Sequence, residues 1–207
     1  MTLTIIGVND APFAYSSTVY LFEDTPLIYT LSADDLENDA LNYAIVDPPE
    51  TGTIAISQDT GFCYYTPALN VNGTDRFSFK VNDGEFDSNT AFVEIVITPV
   101  NDAPIVYDFT LNITEDIAQS ASLSATDVEG DPLRYTIVTQ GEKGQSVLQS
   151  NVDGRFTYTP FANVNGKDEI IFIAGDHELV SDFGTVNISI IPVNDPPVAN
   201  DATIDVF

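Results

Sequence analysis

A short motif recurs three times in the chain and sets its organisation. The sequence Val-Asn-Asp, followed closely by proline, begins at Val8, Val100 and Val193, and its asparagines are 92 and 93 residues apart. A signature that recurs once per fixed period is typical of a tandem array, and units of this size can each bury a core. We therefore interpret the motif as a linker between domains, and call it the linker motif. The spacing predicts a remnant of a preceding repeat at 1–8, a first repeat at 9–100, a second at 101–193 and the start of a third at 194–207.

The charge balance excludes several classes of partner. The chain has 32 acidic and 6 basic residues, a formal net charge of −26. Nucleic acid binding and electrostatic docking to anionic membranes both need a basic surface. The hydrophobic content of 43% is too high for a disordered acidic chain. The acid excess is therefore explained either by solubility or by cation binding, and acids that recur at equivalent positions in the two repeats favour cations.

Cysteine and histidine are nearly absent, with one of each. No intramolecular disulfide is possible, and zinc, copper and iron–sulfur sites are disfavoured because they need nitrogen or sulfur ligands. The sequence contains no signal peptide and no apolar run of transmembrane length. We therefore expect Met1 to be an expression start, the chain to be a fragment, and this fragment not to insert into a membrane.

Alternating large apolar residues predict short strands throughout both repeats. In the first repeat these segments lie near 19–22, 27–33, 41–45, 54–56, 62–67, 77–81 and 91–97, and the second repeat carries the same pattern. Turn residues separate the segments, and no helical period is present. The pattern predicts an all-β chain of two tandem Ig-like, cadherin-like antiparallel β-sandwich domains, each of about seven strands, arranged end to end. A small barrel is the less favoured alternative. Cys63 and Tyr65 are expected to point inward and Tyr64 outward.

An acidic loop lies at the same place in each repeat. Asp35, Glu37 and Asp39 alternate along the first loop, and Asp127, Glu129 and Asp131 along the second. In an extended segment, alternation places three carboxylates on one side, where they repel one another unless a cation is bound. Calcium takes oxygen ligands of this kind. The alternative is that the acids are solvated turn residues. An EF-hand is excluded because its sixth and twelfth positions would be Ala40 and Val46.

Several short motifs follow the linker motif in a fixed order. The linker motif is followed by Glu-Asp-Thr-Pro, Ala-x-Asp-x-Glu-x-Asp, Tyr-Thr-Pro, Asn-x-Asn-Gly and Asp-Gly, and much of this order occurs again in the second repeat. The chain resembles the cadherin-like Ig-fold repeats of large bacterial surface adhesins, and its linker motif resembles the linker of cadherins. The resemblance implies Ca²⁺ bound between consecutive repeats, which stiffens the array. It also implies an extracellular, cell-surface location.

The resemblance also implies ligands at each linker motif. For the middle motif they are Glu23, Asn101, Asp102, Asp127, Glu129 and Asp176, with Asp131 joining directly or through water. The first motif would keep Asn9, Asp10, Asp35, Glu37, Asp39 and Asp83, and the third would keep Glu115, Asn194 and Asp195. Two departures suggest fewer or weaker ions: Pro99 replaces the acidic residue that opens the cadherin linker, and Asn70-x-Asn72 replaces an Asp-x-Glu pair.

The sequence bears on three classes of function. The first is a calcium-binding structural and adhesive module, whose partners are the neighbouring repeats of its own chain. The alternative is a ligand-binding adhesion module for a surface glycan or another cell-surface protein, using outward aromatic residues such as Tyr64, Phe86 and Phe183. An enzyme is disfavoured because His177 is the only histidine, and no Ser-His-Asp or Cys-His arrangement is marked out in either repeat.

Overall fold

A computed structural model describes residues 8–197, which form two compact units of β-structure. The chain divides between the two units at Val100 and Asn101. Most of the predicted remnant at 1–8 and most of the predicted third repeat at 194–207 lie outside the described residues. Every regular element within residues 8–197 is a strand. Correspondingly, this part of the chain has no helix of the length and apolarity needed to cross a membrane.

The first unit has nine strands in two main sheets. They are β1 (Phe13–Ala14), β2 (Ser17–Phe22), β3 (Leu27–Thr30), β4 (Ala33–Asp34), β5 (Asn42–Asp47), β6 (Gly52–Ile56), β7 (Phe62–Pro67), β8 (Gly73–Asn82) and β9 (Ala91–Thr98). One sheet has the order β2-β9-β8-β5 and the other β3-β7-β6, while β1 pairs with β4 alone. The seven longer strands coincide with the seven predicted segments. The short pair β1–β4 is additional, because two residues carry too little alternation to be recognised.

The second unit has the same topology. Its strands are β10 (Ile105–Val106), β11 (Phe109–Thr114), β12 (Gln119–Ser122), β13 (Ala125–Thr126), β14 (Arg134–Thr139), β15 (Gly144–Leu148), β16 (Arg155–Pro160), β17 (Gly166–Gly175) and β18 (Gly184–Ile191). The orders are β11-β18-β17-β14 and β12-β16-β15. All pairings are antiparallel except one in each unit. There, the first long strand runs parallel to the last, β2 with β9 and β11 with β18.

Each core lies between its two sheets and follows the period of two expected of strands. In β9, Ala91, Val93 and Ile95 are buried, while Phe92 and Glu94 between them face outward. In β7, Cys63 and Tyr65 are buried and Tyr64 is exposed, as predicted. Burial raises the pKa of the Cys63 thiol to about 11, although a hydrogen bond from the Tyr29 backbone opposes the shift. Each large apolar side chain buried in this way stabilises the fold by about 1.5–3 kcal/mol.

A buried tyrosine and a carboxylate anchor the loop before β6. The Tyr65 hydroxyl donates to Asp75 Oδ2 over 2.8 Å, and the backbone N–H groups of Glu50 and Thr51 donate to the same carboxylate. The Tyr65 ring lies against Gly52, where a Cβ would stand 2.5 Å from the ring. The hydrogen bonds to Asp75 and the contact between Gly52 and the Tyr65 ring therefore both fix the loop. Only glycine fits beneath the ring.

The second unit repeats this anchor. The Tyr158 hydroxyl donates to Asp168, which also accepts from the backbone N–H groups of Glu142 and Lys143. In both units burial opposes ionisation of the aspartate, but the hydrogen bonds outweigh it, so the pKa values of Asp75 and Asp168 lie below the usual range. The anchor is a charged hydrogen-bond network inside the fold.

Candidate metal-binding ends of the repeats

The acidic loop of the first repeat is organised by its first aspartate. Asp35 Oδ1 accepts the backbone N–H groups of Glu37 at 3.1 Å and Asp39 at 2.8 Å. Asn38 adopts a positive φ of 62°, which lets the loop turn back toward Asp35. The second oxygen, Oδ2, is buried and has no hydrogen-bond partner among the described residues. A buried carboxylate oxygen without a donor is costly, so this atom marks the loop as a place for an electropositive group.

The second repeat builds the same loop from a partly different sequence. Asp127 Oδ1 accepts the backbone N–H of Asp131 at 2.9 Å. Gly130 takes the positive-φ position, at 78°, that Asn38 holds in the first repeat. Asp127 Oδ2 is likewise buried without a hydrogen-bond partner in the described part of the chain. The feature therefore recurs in both units.

The linker motif lies against this loop and against a second turn. In the first repeat the Asn9 side-chain N–H donates to Asp83 Oδ2 at 2.9 Å, and the Asp10 backbone N–H donates to Glu37 at 3.3 Å. The turn and the acidic loop are at least 44 residues apart in sequence (83 − 39). The structure thus brings five predicted ligands to one end of the repeat: Asn9, Asp10, Asp35, Glu37 and Asp83.

The second repeat has equivalent contacts. The Asn101 side-chain N–H donates to Asp176 Oδ2 at 2.9 Å, and the Asp102 backbone N–H donates to Glu129 at 3.4 Å. Asp131 joins this group because its backbone N–H donates a hydrogen bond to Asp127. Asp39 takes the same position in the first repeat, although its side chain is exposed.

The aspartate of the second turn is held in its charged form. The Asn101 amide contributes most to lowering the pKa of Asp176 to about 2, followed by the backbone N–H groups of Leu179 and Glu178. The pKa of Asp83 is also lowered, chiefly by the backbone N–H groups of Phe86 and Glu85. Both carboxylates are therefore ionised at neutral pH and available to a cation.

Glu23 lies at the opposite end of β2 from the acidic loop. It is 3% exposed, and its Oε1 accepts the Val100 backbone N–H at 2.7 Å. The Asn72 amide donates to its Oε2 at 3.4 Å. A six-residue strand spans about 20 Å, so the two ends of the repeat are separate places. Glu23 thus holds the residue that immediately precedes Asn101.

Glu115 has the same position in the second repeat. It is 4% exposed and accepts the Val193 backbone N–H at 2.5 Å and the Asn165 amide at 3.2 Å. The next residues, Asn194 and Asp195, are exposed and make no hydrogen bond within residues 8–197. Asn72 and Asn165 were not among the predicted ligands. Their shared Asn-Gly motif was the signal that could have identified them as partners of the buried glutamates.

Within residues 8–197, no three His, Cys, Asp or Glu side chains converge closely enough to form a metal cluster. Main-chain and amide N–H groups instead contact most of the candidate carboxylates. The oxygens at each end of a repeat come from carboxylates, amides and backbone, which is the donor set of a hard cation and not of zinc or copper.

A family model described as "Bacterial Ig domain" matches residues 9–96 and again residues 101–189. The chain belongs to this family. It is a tandem of two Ig-type, cadherin-like repeats, as the order of its motifs predicted.

Curated relatives match the chain over a small part of their own length. Integrin beta-like protein A of Dictyostelium discoideum is 26% identical over 96% of this chain, which spans 12% of that protein. Human protocadherin-15 is 30% identical over 58% of the chain, which spans 7% of it. Chitinase A of Pseudoalteromonas piscicida is 29% identical over 50% of the chain, which spans 13% of it.

Solved structures of cadherins share the fold. The EC1-2 fragment of human protocadherin-24 is 20% identical, with a TM-score of 0.59, and the match covers 88% of this chain and 100% of that one. The EC22-24 fragment of mouse cadherin-23 is 21% identical, with a TM-score of 0.52, over 88% of this chain and 65% of that one. At these identities the likeness shows the fold alone.

Proposed function

We propose that the chain is a calcium-binding structural and adhesive module of a large extracellular bacterial adhesin. In this proposal Ca²⁺ bound at each linker motif stiffens the array of repeats. The observation that carries it is the buried Oδ2 atom without a hydrogen-bond donor, found at Asp35 and again at Asp127. A feature that is costly without a cation, and that recurs at the same position in two repeats, favours a shared cation-binding role over solvated turns.

The donor set fits calcium. At the middle linker motif the residues that would hold the ion are Glu23, Asn101, Asp102, Asp127, Glu129 and Asp176, with Asp131 close enough to contribute. Calcium supplies the positive charge that the carboxylates of the acidic loop otherwise lack. The Asp131 backbone N–H donates to the Asp127 carboxylate, and the Leu179 backbone N–H donates to that of Asp176, so both are held in place. Glu23 holds the chain by accepting the Val100 backbone N–H.

The expected energetics are modest for each ion. Sites of extracellular modules have dissociation constants of about 10⁻⁴–10⁻³ M, so they respond to calcium outside the cell. At a calcium concentration tenfold above the dissociation constant, one ion adds about 1.4 kcal/mol to the bound state. Several ions along an array therefore change its stiffness without being needed for each repeat to fold.

The test is calcium binding by the wild type and by Asp127→Asn, measured by isothermal titration calorimetry. Asparagine keeps an oxygen to accept the Asp131 N–H but replaces Oδ2 with an amide nitrogen. We expect at least one binding event to be lost or weakened about tenfold, which is roughly 1.4 kcal/mol. Glu169→Gln, an exposed residue of β17, is the matched control with the same change of charge. Equal calcium binding by the wild type and Asp127→Asn would refute the proposed site.

A further inference from the structure

The outer face of the four-stranded sheet in the first repeat carries two aligned rows of side chains. Strand register places Thr18, Glu94 and Arg76 side by side in one row, and Phe92, Ser78 and Asp47 in the next. Two adjoining depressions of about 560 and 430 Å³ open on this face and share Arg76, Phe92 and Glu94. Volumes of a few hundred Å³ are typical of small-ligand sites. We call this surface the Arg76 groove.

The charged groups at the centre of the Arg76 groove form no ion pair or side-chain hydrogen bond within residues 8–197. The Arg76 guanidinium lies 4.9 Å from the centroid of the Phe92 ring. Glu94 is the cross-strand neighbour of Arg76, but the two side chains form no ion pair. Within residues 8–197 neither of these side chains makes a hydrogen bond. The cation–π contact therefore holds the guanidinium over the ring, while its N–H groups stay available beside the Glu94 carboxylate.

A second carboxylate is fixed at the rim of the groove. The Ser78 hydroxyl donates to Asp47 Oδ2 at 2.6 Å, and the Asp47 backbone N–H donates back to the same hydroxyl at 3.1 Å. A bulge between Ile45 and Asp47 shifts the register of β5 here. Bulges commonly re-aim a side chain, and this one brings Asp47 into the row of Phe92.

The second repeat shows that the fold does not require these residues. Its outer face has the same strands, the same pairing and the same bulge. The equivalents of Arg76 and Phe92 are Glu169 and Thr185, and those of Asp47, Ser78 and Glu94 are Thr139, Ile171 and Asn187. The combination of guanidinium, aromatic ring and carboxylates is therefore specific to the first repeat, as expected of a binding site and not of a structural feature.

We propose that the Arg76 groove binds a neutral polysaccharide. Sugar hydroxyls both donate and accept, so one chain of sugars can accept from Arg76 and donate to Glu94 and Asp47, while its apolar C–H faces contact Phe92. A polyanion is disfavoured by the carboxylates of the groove and by the net charge of −26, which also disfavours a second copy of this chain. This role goes beyond calcium binding and uses none of the proposed calcium ligands.

The test measures binding of neutral hexasaccharides of N-acetylglucosamine, glucose, mannose and xylose to the whole chain, with hexaguluronate as the polyanionic comparison. We expect at least one neutral hexasaccharide to bind, and the double variant Arg76→Glu/Phe92→Thr to bind it at least about tenfold more weakly. This variant carries the residues of the second repeat, so the fold accommodates them. Its unfolding transition is measured alongside to verify folding.

The matched control is Glu169→Gln/Thr185→Ala, which changes the equivalent positions of the second repeat and is expected to bind as the wild type does. Every titration is run in calcium and in chelator, so that loss of the proposed calcium role and loss of the sugar site are separate results. The proposal is overturned if no neutral hexasaccharide binds at about 1 mM, if the double variant binds equally well, or if hexaguluronate is preferred.

Discussion

Removing the Tyr65 hydroxyl tests how much its hydrogen bond to the buried Asp75 carboxylate stabilises the first repeat. The Tyr65 ring is 1% exposed, and its hydroxyl donates to a carboxylate that is itself only 5% exposed. Tyr65→Phe keeps the ring against Gly52 and removes only the O–H. The change therefore isolates one hydrogen bond to a charged acceptor.

The expected loss of stability depends on which hydrogen bonds the Asp75 carboxylate keeps in the variant. A hydrogen bond to a charged group contributes about 1.5–3 kcal/mol, and an acceptor left without any donor costs more. In Tyr65→Phe, Asp75 Oδ2 keeps the Thr51 N–H at 3.1 Å, so it is not left without a donor. We therefore expect the free energy of unfolding of the first repeat to fall by about 1.5–3 kcal/mol, toward the lower end of that range.

Urea unfolding at fixed, saturating calcium measures this change. Tyr64→Phe is the matched control, because the Tyr64 side chain is on the exposed face of the same strand, and surface changes stay within about 0.5 kcal/mol. Tyr158→Phe places the same deletion in the second repeat and should destabilise that repeat by a similar amount. A loss of less than about 0.5 kcal/mol for Tyr65→Phe would show that the anchor contributes nothing beyond packing.

Three further results are expected from the same interior. Because the folded-state pKa of Asp75 is lowered below its unfolded value, its charge stabilises the fold above about pH 4, and this contribution is lost as pH falls through the folded pKa. The stabilities of the wild type and Asp75→Asn, measured in urea from pH 7 to pH 2, should therefore converge at the acid end; a constant gap would contradict this. Gly52→Ala should lose about 1–3 kcal/mol in the same assay because its Cβ would meet the Tyr65 ring; unchanged stability would show that the ring can move. Cys63 should react with iodoacetamide at pH 8 only after unfolding, and rapid labelling of the native chain would disprove its burial.

The strands could be predicted from the sequence because alternation is a local signal. Side chains of a strand point alternately to its two faces, so a buried face shows directly as every second residue. The acidic loops could be located for a similar reason, since their repeated spacing recurs in the linear sequence. The outward position of Tyr64, between inward Cys63 and Tyr65, is confirmed, so alternation predicts the direction of single side chains.

Pairing partners and register could not be predicted in the same way. Alternation does not reveal that β2 lies parallel to β9, because it contains no information about which strand is adjacent. The contact between Arg76 and Phe92 depends on the register of β8 and β9. Likewise, the partnership of Asn72 with Glu23 joins residues that are 49 positions apart.

The central claim, that calcium stiffens the array, is tested most directly by small-angle X-ray scattering of this chain in excess calcium, in chelator, and in magnesium as a control. We predict a narrower distribution of interatomic distances in calcium than in chelator, with magnesium resembling chelator and Asp102→Ala reducing the calcium effect. Identical scattering in calcium and in chelator would contradict the claim and leave the acidic loops as solvated turns on a cadherin-like fold.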